Sequence, residues 1–378
     1  MSRWPGKYVI GLTGNIATGK SVVRKMLEHL GAYGIDADAL AHRAISRGAP
    51  GYQPVVEQFG RWVLGPDQQV DRGRLGRVVF SDPEALKILE SIVHPLAAQA
   101  IDLMVRRASQ PIVVVEAIKL IEANLSKNCD ALWVTYASQD VQLNRLVRNR
   151  QMDEDDARRR IAMQPAQENK IALANVVIKN GGSYGDTWRQ VSTAWQKTVP
   201  ATSEPAPIKT ASATHGELTI ERGRPRHSRE IAALITRLAS DQHTRTADDI
   251  MAAFGEKAFL LLHLDHRLVG VVGWQVENLV ARTTDIYLEP SIAATDALQP
   301  LFNEMERASR DLQCEASLVF VPQALIRNDA VWKKLGYERR EPKTLSVQAW
   351  QEAAAESTVP GSVLLFKQLR QDRILRPI

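Results

Sequence analysis

Eight residues near the start of the chain, Gly14-Asn15-Ile16-Ala17-Thr18-Gly19-Lys20-Ser21, set two glycines five positions apart and follow them with a lysine and a hydroxyl residue. That spacing is G-x-x-x-x-G-K-[ST], a loop that wraps its backbone N–H groups around a polyphosphate. The glycines supply the dihedrals and the close approach such a wrap needs. A helix starting at Lys20 adds the positive end of its dipole. Lys20 is then placed to reach the β- and γ-phosphates, and the Ser21 hydroxyl is the expected Mg²⁺ ligand. Residues Gly14 through Val22 form the expected nucleotide-binding set. A chance match in a glycine turn would not come with an apolar strand before it and a helix after it.

A phosphate loop alone does not separate kinases, GTPases and motor ATPases, so the residues downstream must. No N/T-K-x-D guanine-reading sequence is present. Asp36 and Asp38 in "GIDADALAHRAI" come some fifteen residues after Ser21, at the end of a short apolar run. A carboxylate there can take the proton of a substrate hydroxyl as it attacks a γ-phosphate in line. Alternatively Asp38 caps the helix that follows. Glu116 closes the apolar run "QPIVVVEA" and is either the carboxylate that organises Mg²⁺ or a strand terminus facing solvent. Arginines 145, 148, 150, 158, 159 and 160 are spread over "NRLVRNRQMDEDDARRR". They read either as a cationic lid over the transferring group or as ion-pair partners of the acidic run beside them.

These residues need a frame that brings them together. "KYVIGLTG", "AYGID", "QPIVVVEA" and "ALWVTYA" read as strands, and "KSVVRKMLEHLGA" as the helix after the loop. Strands alternating with helices imply a parallel sheet, whose ligands sit at the carboxyl ends of the strands. The loop, Asp36, Asp38 and Glu116 all fall there. The chain has 378 residues, long for one core, so two domains are expected. A Pro-, Ala-, Ser- and Thr-rich stretch at 198–216 reads as the linker between a domain at 1–197 and another at 217–378. The net charge of +5 comes from the first half, where Lys and Arg outnumber Asp and Glu, and such a field draws anionic ligands. No basic tract interleaved with aromatics marks a nucleic-acid partner. No uninterrupted apolar run reaches membrane-spanning length and no signal peptide is visible, so the expectation is a cytoplasmic protein with no membrane partner. Two widely separated cysteines, Cys129 and Cys314, fit a reducing compartment.

In order and spacing, "GLTGNIATGKS", "IDADALAHRAI", "GAPGYQPVVEQFG", "VDRGRLGRVVF", "HPL" and "RIAMQPAQENKIALANVVIKNGG" resemble the dephospho-CoA kinases over residues 7–195. The resemblance implies ATP and Mg²⁺ as cofactors and transfer of the γ-phosphoryl group to the ribose 3′-hydroxyl of dephospho-CoA. It implies Asp38 as the base, Lys20 on the phosphates, Ser21 at the metal and the arginine segment as the ATP-side lid, where Arg148 or Arg150 stands in as the catalytic arginine, with a helical segment around "GRLGRVVF" and "HPL" holding the substrate. The chain departs from the family in three places. "EAIKLIE" at 116–122 has lost a proline and gained Lys119, Asn149 stands where a lid arginine is expected, and Asn175 replaces an aspartate. A kinase for another nucleoside or nucleotide, or a regulatory CoA-binding protein, are the alternatives.

The second half reads as strands "GELTIERG", "KAFLLLHLDHRLVGVVGWQVEN" (a hairpin turning near "LDHRL"), "ARTTDIYLEP" and "EASLVFVP", with a helix over 294–313 that Pro300 is expected to interrupt or delay. This α+β pattern, with a largely antiparallel sheet, resembles the GNAT-type acyltransferases, as does the ending "AVWKKLGYERRE". The resemblance implies acetyl-CoA or CoA as a ligand there. The stretch "EPSIAATDALQP", where that family places a glycine-bearing anion loop, has neither arginine nor glycine. Tyr337 and Glu289 are the only candidates for an acid or base. A module kept for stability, dimerisation or ligand sensing is the other reading. The oligomeric state is not legible.

Overall fold

The run Ile112–Glu116 shows why the first half folds as it does: four β-branched residues, every one buried, can only be a strand covered on both faces. The computed structural model describes residues 3–149, 151–200, 208–209, 217–239, 244–277, 279–327 and 329–370, and all that follows concerns those residues. They divide into two compact units, one running to Pro200 and the other taking in the described residues from Ile208 onward. Most of the expected linker at 198–216 lies outside the described residues.

The first unit runs β1 (Tyr8–Thr13), α1 (Lys20–His29), β2 (Tyr33–Asp36), α2 (Ala37–Ala44), α3 (Tyr52–Phe59), α4 (Arg72–Ser81), α5 (Pro83–Arg107), β3 (Ile112–Glu116), β4 (Ala131–Tyr136), α6 (Gln139–Asn144), α7 (Glu154–Ala162), α8 (Gln167–Ile171), β5 (Val176–Lys179) and α9 (Tyr184–Thr198). Its five strands lie in the order β2-β3-β1-β4-β5, every neighbouring pair parallel. Ile10, Leu12, Met26, Leu27, Val114 and Trp133 are fully shielded between sheet and helices. Each such side chain contributes about 1.5–3 kcal/mol by leaving water.

Between β2 and β3, helices α2 to α5 enclose a smaller core of their own around Val55, Val63, Leu75 and Val79. Asp71 and Asp82 cap α4 and α5 through their side chains, and Pro83 opens α5 at the position where a missing N–H does no harm. Helix α5 is the one described helix long and apolar enough to cross a membrane. The sequence hides this because Glu84, Lys87, Glu90 and Asp102 interrupt the run. The helix buries Val93, Ala97, Ala100, Ile101, Met104 and Val105 within the unit.

The second unit runs β6 (Ile208–Lys209), β7 (Leu218–Arg222), α10 (Ser228–Leu238), α11 (Ala247–Ala253), β8 (Ala258–Leu264), β9 (Arg267–Glu277), β10 (Val280–Leu288), α12 (Ala294–Asp311), β11 (Ala316–Pro322), α13 (Gln323–Ile326), α14 (Asp329–Lys334), β12 (Glu338–Arg339), α15 (Gln348–Glu356) and β13 (Ser362–Gln368). The sheet order is β12-β13-β11-β10-β9-β8-β7-β6, antiparallel except for β10 beside β11. The β8–β9 hairpin turns at Asp265 and His266, both at positive φ, the twist a two-residue hairpin loop needs. Ladder pairing of β10 with β11 covers only Val280–Thr283, and β10 bulges at Thr283/Asp285.

Candidate functional site

The phosphate loop spans the gap between β1 and α1, and its backbone is tied down from behind. The Asn15 carbonyl accepts from Thr18 Oγ1 at 2.8 Å and from Lys20 Nζ at 3.2 Å. The Ala17 carbonyl accepts from Arg145 at 3.0 Å, and the Thr18 carbonyl from Asn180 Nδ2 at 3.0 Å. Two of the loop's own N–H groups are engaged as well, Ile16 with Gln164 Oε1 and Thr18 with the Asn15 carbonyl, so an anion is left to the start of α1. Ala17 and Gly19 both have positive φ, the local reversal that folds successive amides into an anion nest.

Helix α1 starts with no side-chain cap and no acid in its first turn. By contrast α2, α4, α5, α6, α7 and α9 each begin under an Asp or Ser side chain. The positive end of α1 is therefore left for an anion.

Gly19 (φ +88°) has no room for a side chain, because a Cβ would run into the Asn180 amide. Gly19→Ala is expected to cost about 1–3 kcal/mol in strain and displaced contacts and to weaken nucleotide binding at least tenfold, read by thermal unfolding and by calorimetric titration with ATP.

Asp36 and Asp38 have separate tasks. Asp36 ends β2 in extended conformation and caps α2, accepting from Ala39 N at 2.8 Å. Asp38 sits in the first turn of that helix, where its Oδ2 accepts from the Ile118 backbone N–H at 3.0 Å. The capping alternative thus falls to Asp36. Burial lifts the Asp38 pKa to about 6, with Asp36 and Glu116 adding to the rise and the Ile118 N–H and Lys20 opposing it.

Glu116, at the end of β3, is 4% exposed. Its Oε1 accepts from Ser21 Oγ at 2.8 Å, and its Oε2 takes Arg24 Nε at 2.7 Å. The reading of Glu116 as a solvent-facing terminus does not hold. A hydroxyl and a carboxylate side by side form a hard oxygen pair of the kind Mg²⁺ takes together with phosphate oxygens. Among the described residues, no three His, Cys, Asp or Glu side chains gather to hold a metal by themselves.

Of the arginines, Arg145 reaches the loop, bonding the carbonyls of Ala17 and Asn180. Arg148 is exposed on the same π-helical turn, Arg145–Asn149. Arg158 and Arg159 pair with Glu154 and Asp156 on the surface of α7, and Arg150 lies outside the described residues. The segment after α7 also contacts the loop. Gln164 Oε1 accepts from Ile16 N at 2.7 Å, and the Pro165 carbonyl from Asn15 Nδ2 at 2.8 Å. Gln164, Asn180 and Arg24 are site residues that motif reading passed over. Lys119, the departure in "EAIKLIE", pairs with Glu90 on α5 at 2.6 Å, tying that segment to the helical part.

In the second unit, Tyr337 is buried with its hydroxyl 2.9 Å from Ser317 Oγ, and burial pushes its pKa well above the ordinary tyrosine value. Glu289 is also buried and is shared between Arg237 and Arg267. Neither presents a ready acid or base.

Comparison with known proteins agrees with the first unit. The dephospho-CoA kinase family model matches residues 8–186. A dephospho-CoA kinase of Geobacter metallireducens is 42% identical over 194 residues, 50% of this chain and 96% of that protein. One from Streptomyces avermitilis is 41% identical over 197 residues, 52% of this chain and 96% of that protein. A crystal structure of a GNAT-family acetyltransferase from Staphylococcus aureus matches 40% of this chain and 99% of its own at 10% identity, with a TM-score of 0.34. Through its N-terminal half, the chain belongs to the dephospho-CoA kinase family.

Proposed function

We propose that the N-terminal unit moves the γ-phosphoryl group of ATP, with Mg²⁺, onto the ribose 3′-hydroxyl of dephospho-CoA, giving CoA and ADP in the cytoplasm. The observation that carries this reading is Asp38: a largely buried carboxylate, one oxygen held by the Ile118 N–H, its pKa lifted to about 6 beside the phosphate loop. A base poised there is ionised at neutral pH yet basic enough to accept a hydroxyl proton.

As the hydroxyl oxygen bonds to the γ-phosphorus, Asp38 Oδ1 takes its proton and the bond from the γ-phosphorus to the bridging oxygen breaks. The charge that develops on the ADP side is met by Lys20 and the start of α1. Ser21 and Glu116 would hold Mg²⁺, which when bound neutralises phosphate charge. Arg145 and Asn180 keep the loop in shape. Arg148, exposed on the neighbouring turn, is the candidate cation for the transferring group. Lys119 and Glu90 would set the wall against which the substrate packs.

For the second unit, the committed state of Tyr337 and Glu289 favours a structural or ligand-sensing module over an acetyl-CoA-dependent acyltransferase.

ADP release with ATP and Mg²⁺ tests the reading. Saturable release with dephospho-CoA, and far slower release with adenosine or other nucleosides, is expected; the reverse preference would overturn it. The pH profile is a second check. Activity needs Asp38 ionised, so kcat/KM should fall tenfold per unit below a limb near pH 6 and be level above it on this account.

A further inference from the structure

Ile118 is held from several sides at once. Its N–H donates to Asp38, while its carbonyl accepts from Thr13 Oγ1 at 3.1 Å and from Lys170 Nζ at 2.6 Å. Lys170 belongs to α8, 52 residues further along the chain, and is 3% exposed. Its acidic neighbour is Glu122, at 3.4 Å. Burying an ammonium costs several kcal/mol unless partners replace its water. A salt bridge alone would be made as well at the surface, where Glu122 is partly exposed. The short contact to a backbone carbonyl next to the base is what the buried position adds.

We propose that Lys170 is a positioning residue for phosphoryl transfer: by clamping the Ile118 carbonyl, it fixes the neighbouring N–H on Asp38 Oδ2 and leaves Oδ1 aimed at the substrate hydroxyl. The inference rests on the reading of Asp38 as the base. Helix α8 follows the segment whose Gln164 and Pro165 contact the phosphate loop. One stretch of chain therefore touches both the nucleotide side and the base side of the site.

The charged groups acting on Asp38 are Asp36, Glu116 and Lys20, and the acid paired with Lys170 is Glu122. Releasing the Ile118 clamp weakens the hydrogen bond that holds the Asp38 pKa down, so the acid limb of kcat/KM should move to higher pH. The base is also misplaced, so kcat should drop about 10- to 100-fold with the KM for ATP nearly unchanged.

The test is the pH profile of full-length Lys170→Met and Glu122→Gln beside the parent protein. The expected result is a lower kcat and a raised limb for Lys170→Met, and a limb within about 0.2 units of the parent for Glu122→Gln, which keeps the Ile118 contact. If Lys170→Met does not fold, Lys170→Gln, with a shorter neutral donor, carries the same readout. A folded Lys170 variant with an unmoved limb overturns the proposal, as does an equal shift in Glu122→Gln. If the parent protein itself does not turn over dephospho-CoA, it is the proposed function that fails.

Discussion

Asp38→Asn should abolish turnover and at the same time make the protein more stable. The amide keeps an oxygen for the Ile118 N–H and nearly the same shape, but it cannot accept the hydroxyl proton, so kcat is expected to fall by about 10²–10⁴. The stability change follows from the raised pKa. A carboxyl of pKa about 6 in the folded chain and about 3.9 unfolded binds its proton more tightly when folded. The stability conferred by that proton is present below pH 4 and lost as pH rises through 6. At pH 8 the aspartate costs up to about 3 kcal/mol, and the asparagine variant recovers much of it. The gain in melting temperature over the parent should thus be near zero at pH 4, grow to pH 6 and level off above pH 7. A variant that is inactive but no more stable at pH 8 would mean Asp38 is not buried at a cost.

The second large effect belongs to Glu116. It lies beneath the loop with Arg24 on one oxygen and Ser21 on the other. Glu116→Ala leaves the Arg24 guanidinium, 12% exposed, with Glu28 as its remaining close carboxylate. Removing one member of a buried pair costs about 3–5 kcal/mol, and the Glu28 contact should hold the loss to about 2–3 kcal/mol. The candidate Mg²⁺ ligand is lost as well, so turnover should fall at least 100-fold. The double substitution Arg24→Met/Glu116→Leu separates the two effects. With no uncompensated charge left, it should regain most of the stability and none of the activity. Recovery of activity in the double variant would show Glu116 to be a structural partner of Arg24 and nothing more. Urea unfolding and steady-state rates on the same preparations decide the matter.

What could be read from the sequence was local. The glycine loop, Lys20 and Ser21 carry their chemistry in their spacing, and Glu116 follows an apolar run that has to be a buried strand. The division of labour between Asp36 and Asp38 was not local. Two carboxylates two positions apart both suit a helix start, and only the extended backbone at Asp36 makes it the cap. Arg145 was in view among six arginines, but its selection as the one that reaches the loop depends on a contact with the Ala17 carbonyl 128 residues away. Asn180 and Lys170 bond backbone atoms 162 and 52 residues away. Both lie in "RIAMQPAQENKIALANVVIKNGG", which the family resemblance marks without naming what they touch.

Other elements were legible and unread. Tyr184, Trp188, Val191 and Trp195 step at helical spacing behind the capping box of Ser183 and Asp186, and they form α9. In the second unit the hairpin was visible from its apolar runs. The burial of Tyr337 was not, because it depends on α12, β11 and β13 closing around it.

Phosphoryl transfer to dephospho-CoA is tested most directly on the product itself. Full-length protein is incubated with ATP, Mg²⁺ and dephospho-CoA, and the nucleotide product is examined by phosphorus NMR and mass spectrometry. One added phosphoryl group is expected, as a monoester on the 3′-oxygen of the ribose, formed in step with ADP. ADP formed with no change in dephospho-CoA, or a phosphoryl group placed elsewhere, would contradict the proposed function.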